Sequence, residues 1–363
     1  MVPGKASVPE WLVFRSDMKP KDDRSKTSEQ ICPVCHSSIA RKLWRVDSAQ
    51  SAQHFVLREV DPERFEALAS HIALLWGRDT CDVVKCENCG FCYSSPFIAG
   101  DERFYTLAYQ RTGYPEWKWE HQRTYEAVEA MARPGQKLLE IGAGDGAFVR
   151  RISPALLGRD NIVCTEYSEY GRRQIEQHGI TCVAADVRDA NGGGIVGPFT
   201  YICLFQVLEH MDRLESLFPV LHSLMEVQGS LFIAVPNERH IEFNERNGAL
   251  LDMPPNHVGR WNEQSFHEIG KRYGLIVQEI ALEPSSWFAS FKLYLAYVFL
   301  RKAQDPSTAA NWLCRTPLKS ERLKRAGIVL TKVLYAIFAL PAGISMFGGE
   351  LGMSRWVHLR KVG

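Results

Sequence analysis

Apolar positions along this chain follow two different rhythms. From residue 137 onward, short runs rich in Ile, Val and Leu recur: KLLEI (137–141), NIVCTE (161–166), ITCVAAD (180–186), FTYICLFQ (199–206), SLFIAVP (230–236) and LIVQEIAL (275–282). Each is of strand length. Between them lie segments of helical spacing, such as GAFVRRISPALL, EYGRRQIEQHG, LESLFPVLHSLM and NEQSFHEIGKRYG, which often end near glycine. This alternation predicts an α/β fold: a doubly wound, Rossmann-like, mostly parallel sheet with helices on both faces. Residues 283–349 interrupt the rhythm with an apolar helical insert. The run ELGMSRWVHLRK (350–361) then returns as a last strand.

Upstream the rhythm is different. Residues 1–30 are polar and aperiodic and are expected to be a disordered tail. Residues 31–100 hold most of the cysteines and form a small N-terminal module. Residues 101–135 read as a helical, aromatic linker or lid, with YPEWKWEHQRTYEAVEAMA ending at Pro134-Gly135. Residues 136–363 form the α/β domain with its insert. Composition is that of a globular protein, at 45% hydrophobic and 23% charged residues. The net charge of +1 offers no global basic field for nucleic acid. The first residues lack the apolar core of a secretory signal, and ten cysteines are too few for a disulfide scaffold of this length. Both observations point to a reducing cytoplasm.

Candidate chemistry concentrates at KLLEIGAGDGAF. A strand feeding a glycine turn and then a helix makes an adenosine-cofactor site at the carboxyl edge of an open sheet. Gly142, Gly144 and Ala147 also fit the nicotinamide fingerprint, so the turn alone leaves an oxidoreductase open. Three carboxylates discriminate. Glu140 stands two residues before the first glycine, where it would repel a pyrophosphate and attract a cationic amino-acid group. Glu166 closes the next strand and can accept both hydroxyls of a ribose. Asp186 closes the third, where it can meet an adenine amino group.

With these features the sequence resembles the class I S-adenosylmethionine-dependent methyltransferases over roughly residues 120–282. LEIGAGDGAF matches the first motif of that family, CTEYS the second and AADV the third; YICLFQVLEHMDR and GSLFIAVPN match the fourth and fifth strands. The resemblance implies S-adenosyl-L-methionine as cofactor, bound by Glu140, Gly142, Gly144, Glu166, Tyr167, Asp186, Val187 and Phe205, with Gln206 joining them.

CPVCHSS and KCENCGFC supply two C-x-x-C pairs, Cys32 with Cys35 and Cys86 with Cys89. Two such pairs suit one tetrahedral Zn2+, and four thiolates fill its coordination, which makes the site structural. Cys81, Cys92 and His36 are rival ligands. CENCGFCYSSP followed by FYTLAYQRTGYPEW is similar to a bacterial methyltransferase subgroup acting on sugars and other small metabolites. His36 stands where that subgroup commonly has glycine.

Methyl transfer needs an aligned acceptor, dry surroundings and, for a weakly acidic acceptor, a base. The LEHMD loop after the fourth strand offers His210 as general base, with Glu209 to orient it. The LDMPPNHVGRW loop offers His257 and Asn256, and Tyr109 and Tyr114 are further candidates. The resemblance implies a saccharide or other small-molecule acceptor, methylated on oxygen or carbon, and no nucleic-acid partner. An RNA methyltransferase gripping RNA through the zinc module and a non-catalytic cofactor-binding scaffold are the alternatives. The apolar insert 283–349, with Lys319, Arg322, Lys324 and Arg325, suits either a lid or homodimer face, or a peripheral contact with the inner face of a membrane.

Overall fold

A computed structural model describes residues 31–109, 117–189, 194–315, 321–344 and 350–363 of the chain. The expected tail 1–30 and Tyr114 lie outside the described residues. The chain divides into two compact units. One comprises the described residues of 239–252 and 284–352; the other holds the remaining described residues.

The larger unit contains two sheets. In chain order its strands are β1 (Ala40–Asp47), β2 (Thr80–Cys86), β3 (Cys92–Ser95), β4 (Leu138–Ile141), β5 (Ile162–Thr165), β6 (Thr181–Val183), β7 (Phe199–Phe205), β8 (Met225–Pro236), β9 (Gly259–Arg260), β10 (Leu275–Leu282) and β11 (Ser354–Lys361). The main sheet has the order β10-β11-β8-β7-β4-β5-β6. Every pairing from β8 to β6 is parallel, and β11 runs antiparallel between β8 and β10. All six apolar runs therefore become strands, and the run after the insert becomes β11, as expected. Central strands bury both faces: every residue of β4 and β7 is buried. That is why these runs read as continuous apolar stretches rather than alternating ones. Chain order reverses between β4 and β7, because β5 lies on one side of β4 and β7 on the other. Ligands bind outside the strand ends at such a point.

The cysteine region forms the second sheet, β1-β2-β3-β9, all antiparallel where paired. Two helices, α1 (Ser48–Phe55) and α2 (Pro62–Trp76), fill the stretch between the C-x-x-C pairs. Asp47 caps the first through its side chain and Asp61 caps the second. The sequence suggested a separate module. The structure joins it to the main unit in two ways. Strand β9 comes from the far side of the chain and pairs with β3. In addition, Cys32, Val34, Cys89 and Phe91 share one apolar core with Ile202, Leu204 and Trp261. The aromatic stretch is two helices, α3 (Glu102–Ala108) and α4 (Trp119–Glu129), on either side of residues outside the description, and α5 (Val149–Ile152), α6 (Glu169–Glu176), α7 (Leu214–Leu224) and α9 (Glu263–Tyr273) fall between the strands that follow.

The smaller unit is helical. It holds α10 (Trp287–Gln304), α11 (Ala309–Arg315) and α12 (Glu321–Ile344), which pack against one another, while α8 (Glu238–Arg246) begins at its boundary. Tyr297 of α10 donates to Asn244 Oδ1 at 2.9 Å. The apolar insert is thus a unit of its own rather than an appendage of the sheet.

Candidate functional site

The glycine turn sits at the carboxyl end of β4. Gly142 and Gly144 both adopt left-handed φ, +69° and +59°. A Cβ at Gly142 would lie 2.6 Å from Val207 Cγ2, so a larger residue would meet both backbone strain and a clash. The turn is held by the neighbouring strand. Gly142 N–H donates to Thr165 Oγ1 at 3.2 Å, and Gly144 N–H donates to Glu166 Oε2 at 2.9 Å. The other oxygen of Glu166 accepts from Ser168 N–H at 2.7 Å, at the start of α6 (Glu169–Glu176). Gly171, in the first turn of α6, has no room for a side chain: a Cβ there would be 2.3 Å from the Gly144 carbonyl oxygen. Sequence reading missed Gly171. Its signal was a glycine inside a helix, where glycine costs about 1 kcal/mol against alanine unless packing requires it.

Glu140 ends up 3% exposed beneath this turn. Burial pushes its carboxyl well above the usual carboxylate range, and Cys182, Glu166 and Asp145 push the same way. Its Oε2 has no hydrogen-bond partner among the described residues. Glu166 is also raised, chiefly by burial, against the opposing pull of the Ser168 and Gly144 amides. Two carboxyls near enough for Glu166 to act on Glu140, both resisting ionisation, suit a cationic guest.

The remaining cofactor candidates scatter more. Tyr167 follows Glu166 with its ring exposed. Strand β6 stops at Val183, so Asp186 lies in the turn beyond it. Its carboxylate is engaged by Arg188, with Nε and Nη2 at 2.7–3.1 Å, and by Arg213 Nη2 at 3.1 Å. Burial pushes that carboxyl up, but the two arginines outweigh it and hold it below its ordinary value. Arg188 also bonds Asp212 Oδ1 at 2.6 Å. Val187 is buried in the core. The ring of Phe205 packs edge-on against Phe148 and His121, each at 4.9 Å. Gln206 takes a left-handed φ of +56° at the end of β7, and its amide donates to Glu120 Oε1 and Ser354 Oγ, both at 3.1 Å.

The structure brings together the acceptor-side candidates from two loops. Glu209 and His210 form a short helical turn, Leu208–His210, after β7. Val258 N–H donates to the Glu209 carbonyl at 2.8 Å, which ties the second loop to the first. Ligand atoms of Glu209, His210 and His257 then lie within 4.8 Å of one another. The two imidazoles meet edge to face at 4.7 Å. His210 Nδ1 is 2.8 Å from the Asn256 carbonyl oxygen. A carbonyl only accepts, so Nδ1 carries the hydrogen and Nε2 carries the lone pair. Nε2 faces Glu209 Oε1 at 3.9 Å, and Glu209 is only 2% exposed. Tyr105 of α3 adds its hydroxyl 3.3 Å from His210 Nδ1, and Tyr109 is hydrogen-bonded to the Asn256 side chain. Burial pushes the Tyr105 phenol above its ordinary range and holds that of Tyr109 at about 12. Tyr105 was not singled out in the sequence. Only its position four residues before Tyr109, on the same helix face, could have flagged it.

The four cysteines converge as well. Cys32, Cys35, Cys86 and Cys89 bring their sulfurs within 4.8 Å of one another, with Cys32 to Cys89 at 3.7 Å and Cys35 to Cys86 at 3.5 Å. Zinc–sulfur bonds of 2.3 Å in a tetrahedron separate sulfurs by about 3.8 Å, so the cluster fits that ion with little movement. The rivals stay out: Cys81 Sγ hydrogen-bonds the Asp82 carbonyl and Cys92 Sγ that of Gly90. A hydrogen bond from Cys89 pulls the Cys32 thiol down to about 5. The second cysteine loop is also braced by Asn262, whose side chain donates to the Cys89 carbonyl at 3.1 Å.

Residues 110–280 match the family model described as a methyltransferase domain. No curated protein matches the chain by sequence. Among solved structures, the chain is similar to phosphoethanolamine N-methyltransferase 2 of Haemonchus contortus in complex with S-adenosyl-L-methionine. The identity is 17% and the TM-score 0.36, over 68% of this chain and 53% of that one, so it spans about half of that enzyme. It is similar also to the cyclopropane synthase MmaA2 of Mycobacterium tuberculosis, at 14% identity and TM-score 0.39, over 66% of this chain and 84% of that one. Coclaurine N-methyltransferase bound to N-methylheliamine and S-adenosylhomocysteine gives 14% and 0.38, over 66% and 70%. The family match falls on the parallel strands, the glycine turn and the carboxyls described above: residues 110–280 are similar to a methyltransferase domain.

Proposed function

We propose that the enzyme methylates a small polar acceptor, of the saccharide class or a related metabolite, with His210 as general base. The observation that carries this reading is the hydrogen bond from His210 Nδ1 to the Asn256 carbonyl, which leaves Nε2 basic beside a buried carboxylate. S-adenosylmethionine, when bound, supplies an electrophilic methyl group on sulfur. Glu140 and Glu166 offer carboxylates to its ammonium and ribose, and the glycine turn leaves the backbone open to close approach. His210 Nε2 would take the proton of an acceptor hydroxyl, or of a carbon acid, as the acceptor's bond to methyl forms and the methyl–sulfur bond breaks, its electron pair leaving with the neutral thioether. Glu209 stabilises the resulting imidazolium, and Tyr105, Tyr109 and His257 line the acceptor side. The saccharide class rests on the resemblance of the cysteine and tyrosine segments, and the hydrogen-bonding side chains of this lining are compatible with it. Cys32, Cys35, Cys86 and Cys89 hold a structural Zn2+ that braces the adjoining loops.

The test is transfer of labelled methyl groups from S-adenosylmethionine into pooled nucleotide-linked and free saccharides, with and without His210→Asn. General-base loss lowers kcat by roughly 100-fold or more and removes the acidic limb of the pH–rate profile. Full activity in His210→Asn, with an unchanged profile, overturns the base assignment.

A second reading has its own observation. One carboxylate and two imidazoles within 4.8 Å also make a divalent-cation site, which would orient two neighbouring acceptor oxygens. Activity that requires added Mg2+ or Mn2+, in protein whose zinc content is constant, favours this reading. Activity indifferent to them favours the base.

A further inference from the structure

Helix α12 is turned inside out. Its packed side carries Thr331, buried, and Lys332, whose ammonium lies 5.2 Å from the ring centroid of Phe299 on α10. Gly327 faces Leu313 of α11 on the same side. The outward side carries Val329, Leu330, Val333, Leu334 and Ile337, each half or more exposed. Their spacing makes one stripe, about 12 Å long at 1.5 Å per residue. Phe288 and Trp312 of the same unit are exposed too. Helices of a soluble body show the reverse pattern, apolar inward and polar outward.

Charge separates along the same boundary. Residues 284–352 hold nine Lys and Arg against three Asp and Glu, a net +6. The whole chain is +1, so the remainder carries −5. Arg322, Lys324 and Arg325 fall in the first turns of α12, and Lys292, Arg301 and Lys302 are exposed on α10. No helix among the described residues is long and apolar enough to cross a membrane.

We propose that α12 lies in the surface of an anionic lipid bilayer, its stripe among the acyl chains and its basic residues at the headgroups. An apolar stripe flanked by cations is the pattern of an interfacial helix. A second copy of this chain is the poorer occupant, because it would bring another +6 unit against the first.

The full chain is tested by flotation with phosphatidylcholine vesicles, with and without phosphatidylglycerol. The protein floats with the phosphatidylglycerol vesicles and not with phosphatidylcholine alone. Added salt weakens the partition. Val333→Glu with Ile337→Glu lowers partition by roughly tenfold or more, as does reversal of Arg322, Lys324 and Arg325 to Glu. Val333 and Ile337 are exposed, so their substitution leaves the fold intact, and an unchanged circular dichroism melt verifies this for both variants. Absence of flotation with any composition overturns the proposal, as does flotation indifferent to both variants. So does a dimer in light scattering that the stripe variant dissolves while vesicles recover nothing.

Discussion

Glu140 shows how one residue trades stability for binding. In the free protein its carboxyl sits in a buried place with a raised pKa. Relative to the unfolded chain, the folded form therefore binds an extra proton above the ordinary glutamate range. Such a group contributes stability below its unfolded value, and that contribution is lost as pH rises through the folded one. A cationic guest reverses the preference, so donor binding releases a proton and tightens as pH rises. Glu140→Gln removes the ionisable group and keeps the shape. We expect its melting temperature without ligand to rise by about 1–2 °C at neutral pH, the response to roughly 1 kcal/mol in a chain of this size. Donor affinity falls by about tenfold or more in the same variant, the scale of one charge-assisted contact. Calorimetric melting and a binding titration in two buffers of different ionisation enthalpy check both halves. A destabilised variant that binds the donor as well as wild type contradicts this role. The sequence showed that an acid preceded the turn. It could not show that the acid would be buried, which depends on the neighbouring strands and on Cys182 and Cys164 beside it.

At the scale of elements, the strands were legible because central parallel strands are apolar on both faces, and the insertion of β11 followed from its run after the insert. The glycine turn was legible for a similar reason, since few residues tolerate left-handed φ beside a packed helix. What remained hidden was long-range. Nothing in GRW announces that Gly259–Arg260 would become β9 and pair with β3, for two residues carry no periodicity. That pairing has a functional consequence. The loop of Asn256 and His257 leads straight into β9, and β9 is followed by Asn262, which holds the Cys89 carbonyl. The cysteine cluster therefore braces the loop of Asn256 and His257. We expect Cys35→Ser to lose most of its zinc, measured by atomic emission as a fall from one ion per chain. Its kcat falls roughly tenfold or more, the scale of a small misplacement of reacting groups. Donor affinity is retained in this variant, because the glycine turn is held by Thr165 and Glu166 rather than by the cysteine loops. A zinc-depleted variant with full kcat contradicts the bracing.

The described residues of the whole molecule form two units. The larger unit combines a doubly wound sheet with the cysteine sheet through one apolar core, which the sequence had divided into separate domains. Composition could not reveal the union, because apolar residues such as Val34 and Phe91 look the same whichever core they enter. The helical unit carries its own charge and an outward apolar stripe. Everything assigned to the larger unit rests on the crevice being shaped for a cationic methyl donor. Isothermal titration of the full chain with S-adenosylmethionine is the most direct measurement, run beside a nicotinamide dinucleotide and beside Glu166→Gln. Glu166→Gln keeps one acceptor oxygen for the turn and removes the charge. The expected result is one donor site per chain, no dinucleotide binding, and affinity weakened by about tenfold or more in Glu166→Gln. Saturable dinucleotide binding with no donor binding, or donor affinity untouched by Glu166→Gln, would contradict it.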